Sequence, residues 1–123
     1  MTTVPRDAVL LRIYVGEKEK SGSQPVYEAV VMKAREMRLA GATVLRGPLG
    51  FGYSSRVHTA KILRLSEDLP VVIEIVDSVE KVENFLSVLD GIIGSGLVTL
   101  EKVQVIQYGP GRIGETTYTS KQG

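Results

Sequence analysis

Residues 69–76 read Leu-Pro-Val-Val-Ile-Glu-Ile-Val, a strand signal that is apolar on both faces except at Glu74. Successive side chains of a strand point to opposite faces, so a strand wet on one side alternates polar with apolar residues. This one does not alternate cleanly, and both of its sides need cover. It also closes a longer unit. Before it lies Gly41–Gly52, GATVLRGPLGFG, a shorter strand signal that leaves through Gly50-Phe51-Gly52. A long polar and basic connection, YSSRVHTAKILRLSED, joins the two. The rest of the chain supplies the helices and strands that hold this loop in place.

Ala8–Val15 alternates, with Val9, Leu11, Ile13 and Val15 on one face and Leu10, Arg12 and Tyr14 on the other. The charged run Gly16–Gly22 reads as a surface loop. Ser23 stands where an N-cap belongs and Pro25 suits a first helical turn. The helix is predicted to reach about Leu39, burying Tyr27, Val30, Val31, Ala34 and Met37. Gly41 is the expected stop. A second strand is expected from Thr43 to about Leu49, bulged at Gly47-Pro48 or lying at a sheet edge, because proline donates nothing to a ladder. Asp77 and Glu80 form a capping-box pattern opening a second helix. Its predicted stripe is Val79, Val82, Leu86, Leu89 and Ile93. A glycine-rich turn, Gly91–Gly96, leads to a last strand from Leu97. Alternation there slips around Glu101-Lys102, which predicts a bend or two short strands. Residues 1–7 and 110–123 read as flexible tails around one domain with a core at 8–109.

The order is β-α-β-β-α-β, an α+β class with a ferredoxin-like antiparallel sheet and both helices on one face. Two helices cover one side of such a sheet. The other side calls for a symmetric oligomer, and the 43% apolar content of so short a chain agrees with that.

Composition excludes several functions. Fifteen basic and fourteen acidic residues leave a net charge of +1, which gives no electrostatic reason to expect nucleic acid as a partner. Without cysteine there is no disulfide, thiol catalysis or zinc-thiolate site, and a single histidine, His58, forms no imidazole cluster. No metal site is expected. The start MTTVPRDAV lacks a signal peptide pattern, and a cytoplasmic location is expected. No nucleophile–base pair and no carboxylate cluster is visible, so no catalytic residue is assigned and an enzyme is the least favoured reading.

GATVLRGPLGFG resembles the second strand of the nitrogen-regulatory PII signalling proteins, which also ends in Gly-Phe-Gly before a long loop, the T-loop. LPVVIEIV is similar to the strand that follows that loop, and Ile93-Gly94-Ser95-Gly96 to the glycine-rich B-loop. With LRIYVGEKEK and the Leu65–Pro70 segment, the chain resembles a narrower PII-like group, the domain of unknown function one hundred and ninety. The match spans roughly residues 8–109. The resemblance implies a homotrimer with a small-molecule effector, an adenine nucleotide or related compound, in clefts between subunits. It further implies that the 53–69 loop then engages or releases a partner, a membrane transporter or an enzyme.

There are departures from the PII pattern. The T-loop tyrosine motif for covalent modification is absent, and Tyr53 follows the Gly-Phe-Gly directly. Leu97 stands where PII proteins place a phosphate-binding lysine. Gln104 and Gln107 stand where they carry paired arginines. A different or less charged ligand is therefore compatible with the chain.

The ligand-binding candidates are Gly50, Phe51, Gly52, Gly94, Ser95 and Gly96, where the main chain can approach an anion, with Arg56, His58 and Arg112 as anion contacts. Each has a plainer reading. The glycines can be tight turns at strand ends, and Arg56 with His58 can be a solvated loop pair. Glu74 needs a partner, and a salt bridge across subunits is the expected one. Two further readings stay open: a ligand-free trimeric scaffold, and a nucleotide-hydrolysing enzyme.

Overall fold

The structure, a computed structural model, describes residues 3–52, 68–111 and 113, together with the backbone of 58–59. The strands are β1 (Asp7–Gly16), β2 (Lys20–Ser21), β3 (Gln24–Pro25), β4 (Thr43–Arg46), β5 (Leu49–Gly50), β6 (His58–Thr59), β7 (Pro70–Asp77) and β8 (Leu97–Gln104). The helices are α1 (Val26–Glu36) and α2 (Val79–Leu89). The main sheet has the order β4-β7-β1-β8, and every neighbouring pair is antiparallel. With α1 and α2 on one face this is the ferredoxin-like, PII-like arrangement. Short ribbons β2–β3 and β5–β6 stand off the sheet.

Alternation along β1 and β7 builds the core. Val9, Leu11, Ile13 and Val15 share one face with Val71, Ile73 and Ile75, and against them pack Val30 and Ala34 of α1 and Val82, Phe85 and Leu89 of α2. Each large side chain buried there contributes about 1.5–3 kcal/mol. The doubly apolar β7 lies inside the sheet, between β4 and β1. Its second face, Val72, Glu74 and Val76, is half-buried.

The helix ends differ from expectation. The β2–β3 ribbon places Pro25, not Ser23, at the N-cap of α1, with no side-chain cap, and the Val26 N–H donates to the Glu19 carbonyl at 2.8 Å. Glycine does not stop α1 either. Arg38 turns left-handed (φ +64°), and the N–H groups of Arg38 and Leu39 donate to the carbonyls of Arg35 and Ala34. That pair of bonds is a Schellman ending. Burial of Leu39 in the core fixes the exit, and this offsets the cost of a non-glycine residue at positive φ. At α2 the N-cap is Ser78, whose Oγ accepts from the Lys81 N–H at 3.2 Å. Asp77 is instead the last residue of β7 and turns inward.

At the last strand, β8 is unbroken, pairing with β1 from Leu97 opposite Tyr14 to Gln104 opposite Asp7. It is an edge strand and almost all of it is exposed. Neither of its faces is shut from water in the single chain, which is why its sequence does not hold an alternating phase. β4 is the opposite edge, as Pro48 suggested. The N-terminal arm is tied down in part: Val4 is buried, and the Arg6 carbonyl accepts the Val105 N–H at 2.7 Å.

Candidate functional site

The face of the sheet away from the helices carries Thr43 and Leu45 of β4, Val72, Glu74 and Val76 of β7, Leu10, Arg12 and Tyr14 of β1, and Leu97, Thr99, Glu101 and Val103 of β8. The register places Thr43, Glu74, Arg12 and Thr99 in one row across four strands. Arg12 Nε donates to Glu74 Oε2 at 3.0 Å, and Nη1 donates to Glu101 Oε1 at 2.9 Å. The hydrogen bond to Glu74, and then the charge of Glu101, hold the guanidinium above its ordinary pKa. Within the single chain Glu74 therefore already has a partner, on the neighbouring strand. A long-range register pairs residues 62 positions apart, and periodicity along one strand cannot show it.

At one end of this face lies a cleft of about 580 Å³. Its floor and one wall are Ala42, Thr43, Glu74 and Val76, at the start of β4 and the end of β7. Its other wall is the end of β8 and the chain that leaves it, Val103–Tyr108, and Val4 and Ile113 also line it. The lining is mainly apolar, and among the described residues its polar side chains are those of Thr43, Glu74, Gln104, Gln107 and Tyr108. Glu74 Oε2 is engaged by Arg12, which fixes the carboxylate's orientation.

Two further bonds shape the rim. The Tyr108 hydroxyl donates to the Ala40 carbonyl at 2.7 Å, carrying the chain after β8 across to the β4 side. The Ala40 N–H donates to Oδ2 of the fully buried Asp77 at 2.8 Å. Asp77 Oδ1 accepts the Ser78 N–H at 2.7 Å. Gln107 Nε2 donates to the carbonyls of Gly109 and Gly111, folding the strap onto itself.

The glycine candidates lie at the other end of the sheet. Antiparallel pairing puts Arg46, Pro70, Gly16 and Leu97 together there, six β7 residues or roughly 20 Å from Val76. Gly50 is in β5, opposite His58 of β6, and a Cβ on it would meet Pro70 Cγ at 3.0 Å. Phe51 is exposed, and a Cβ on Gly52 would meet nothing within 4 Å among the described residues. Gly94, Ser95 and Gly96 precede β8 on the opposite edge, so one chain does not bring the two glycine turns into contact. Gly96 has φ +146°, and a Cβ there would lie 2.6 Å from the Tyr14 carbonyl oxygen. Glycine at this position lets β8 start against β1. Arg56 and Arg112 lie outside the described residues, and of His58 only the backbone is described.

Of the candidates among the described residues, Gly50, Phe51, Gly52, Gly94, Ser95 and Gly96, none lines the cleft. Sequence reasoning had marked Glu74, Gln104 and Gln107, the first as a carboxylate in need of a partner and the others as departures from the PII arginines. It had no signal that these three converge. Thr43 and Tyr108 carried no mark at all.

Comparison with known proteins agrees with the architecture. Residues 8–105 match the family described as uncharacterized ACR, COG1993 (DUF190). The chain is 41% identical over 97 residues to a UPF0166 protein of Aquifex aeolicus, covering 79% of this chain and 91% of that protein. It is 38% identical over 97 residues to a second UPF0166 protein of the same organism, covering 79% and 95%. A UPF0166 protein of Methanocaldococcus jannaschii is 33% identical over 99 residues, covering 80% and 91%. Sheet order, helix placement and the span of the match lead to one conclusion: the chain belongs to this uncharacterised DUF190 family of the PII-like superfamily.

Proposed function

We propose that the protein is a regulatory protein that binds a small effector in the cleft and transmits its presence to the loop at 53–69. One observation carries this reading: the cleft's floor is made by β4 and β7, the two strands that lead into and out of that loop. A ligand seated on Thr43, Glu74 and Val76 touches both. Because β7 runs unbroken from Val76 to Pro70, a small change in its seating reaches the loop's exit. The ligand shifts the loop only by binding one of its states more tightly than the other.

The lining selects a chemical class. Among the described residues no cationic side chain lines the cleft, and this lining does not favour a phosphate. Apolar walls with the Glu74 acceptor and two amides suit a flat ring system bearing N–H donors, such as the base of an adenine nucleotide. The exposed apolar residues Leu45, Leu97, Leu100 and Ile106 support assembly into a homotrimer, in which a neighbouring copy would complete the cleft. A transporter or an enzyme is the partner this reading calls for.

Calorimetric titration with adenosine, AMP, ADP, ATP and a cyclic nucleotide tests the ligand. Binding to at least one, weakened by Glu74→Gln, is the expected result. A flat response to all five would remove the effector and leave an interaction scaffold. Sedimentation tests the trimer independently.

A further inference from the structure

The chain that leaves β8 is weakly held for a segment that walls a cleft. Its first anchor is the Val105 N–H to the Arg6 carbonyl, which extends the β1–β8 ladder by one bond. Its far end is fastened by Tyr108 to the Ala40 carbonyl. Between the two, Ile106 and Tyr108 remain 45% and 42% exposed, so little apolar burial holds the segment shut. Beyond Tyr108 the backbone turns at Gly109 (φ +91°) and Gly111 (φ +126°), and Gln107 holds the carbonyls of both. Among the described residues the segment is thus internally ordered but attached to the body at few points, which favours a low opening free energy.

The geometry points to residues 105–111 as a latched strap: the Tyr108–Ala40 bond holds the strap against the β4 side and keeps the open cleft narrow, and its release widens the cleft to admit and free the ligand faster. The receiving end of the latch is rigid. Ala40 is fixed through its N–H by buried Asp77, so the movable partner is Tyr108. Gln107 keeps the strap's turn intact during release, so that it swings as a unit from the end of β8. As a gate the strap rests on the cleft being the ligand site; as a latch it does not.

Hydrogen exchange on the full chain without ligand tests the latch. Tyr108→Phe keeps the ring and loses the hydroxyl donor. Loss of one such bond is expected to speed exchange of the 105–111 amides about three- to ten-fold, with the β1 and β7 amides unchanged. Tyr14→Phe, which removes a hydroxyl elsewhere on the same face, should leave 105–111 unaltered. No change in Tyr108→Phe, or acceleration spread evenly over the sheet, would overturn the latch. A second arm uses adenosine as the probe. If it binds, Tyr108→Phe should raise its association and dissociation rates together, and unchanged rates would overturn the gate. If adenosine fails to bind wild type, the proposed ligand fails, while the exchange experiment still decides the latch.

Discussion

Asp77 and Tyr108 grip opposite sides of one residue. The buried carboxylate accepts the Ala40 N–H at 2.8 Å, and the phenol donates to the Ala40 carbonyl at 2.7 Å. Through Ala40 the end of β7, the link from α1 to β4 and the strap after β8 meet at the rim of the cleft.

Asp77 should therefore matter more than any surface carboxylate. Asp77→Ala strands the N–H groups of Ala40 and Ser78 near the core, at a cost of about 2–4 kcal/mol. Asp77→Asn keeps the shape but turns an amide NH₂ toward one of these donors, and should cost about half as much. Chemical denaturation of the two variants measures both, and equality with wild type would contradict the assigned bonds.

Gly96 and Gly94 separate a glycine that close packing requires from one that it does not. Gly96→Ala forces a Cβ against the Tyr14 carbonyl at a positive φ, and about 1–3 kcal/mol of destabilisation is expected. A Cβ on Gly94 would meet no described atom within 4 Å, and Gly94→Ala should leave the melting temperature nearly unchanged. Thermal melts of the pair check this.

Arg12 holds two carboxylates from the strands on either side of it. Arg12→Met should lower the denaturation midpoint, and by more at low salt than in 1 M salt. Screening shortens from about 10 Å at 0.1 M to about 3 Å at 1 M, which weakens the ion pairs already present in wild type. A salt-independent difference would assign the effect to packing instead. The same variant frees the Glu74 carboxylate to reorient, so it should also weaken any ligand that Glu74→Gln weakens.

Ser78 and Phe85 test the second helix. Ser78→Ala removes the side-chain cap on the Lys81 N–H and should cost about 1 kcal/mol. Phe85 is fully buried between α2 and the sheet, and Phe85→Ala should cost about 3–5 kcal/mol. Urea unfolding midpoints give both values.

Much of the fold was legible in the chain. The alternation of Val9 to Val15, the 3.6-residue spacing of Val30 and Ala34, and the doubly apolar β7 are local patterns, and they specify element types and their order. The errors fell at boundaries. Ser23, Gly41 and Asp77 have the chemistry of caps, but the β2–β3 ribbon, the burial of Leu39 and the inward turn of Asp77 gave those roles to Pro25, Arg38 and Ser78. Phe85 was missed because its neighbour Leu86 fits the same stripe.

Sequence alone determined which segments become strands and helices and that one sheet face would lack cover, since periodicity and composition act between near neighbours. Only the tertiary structure decided that Arg12 meets Glu74, that Gly96 abuts Tyr14, and that Thr43, Glu74 and Tyr108 surround one cleft. Those relations depend on strand register between distant segments, which is set by the whole packed sheet and leaves no mark within any one stretch of the chain.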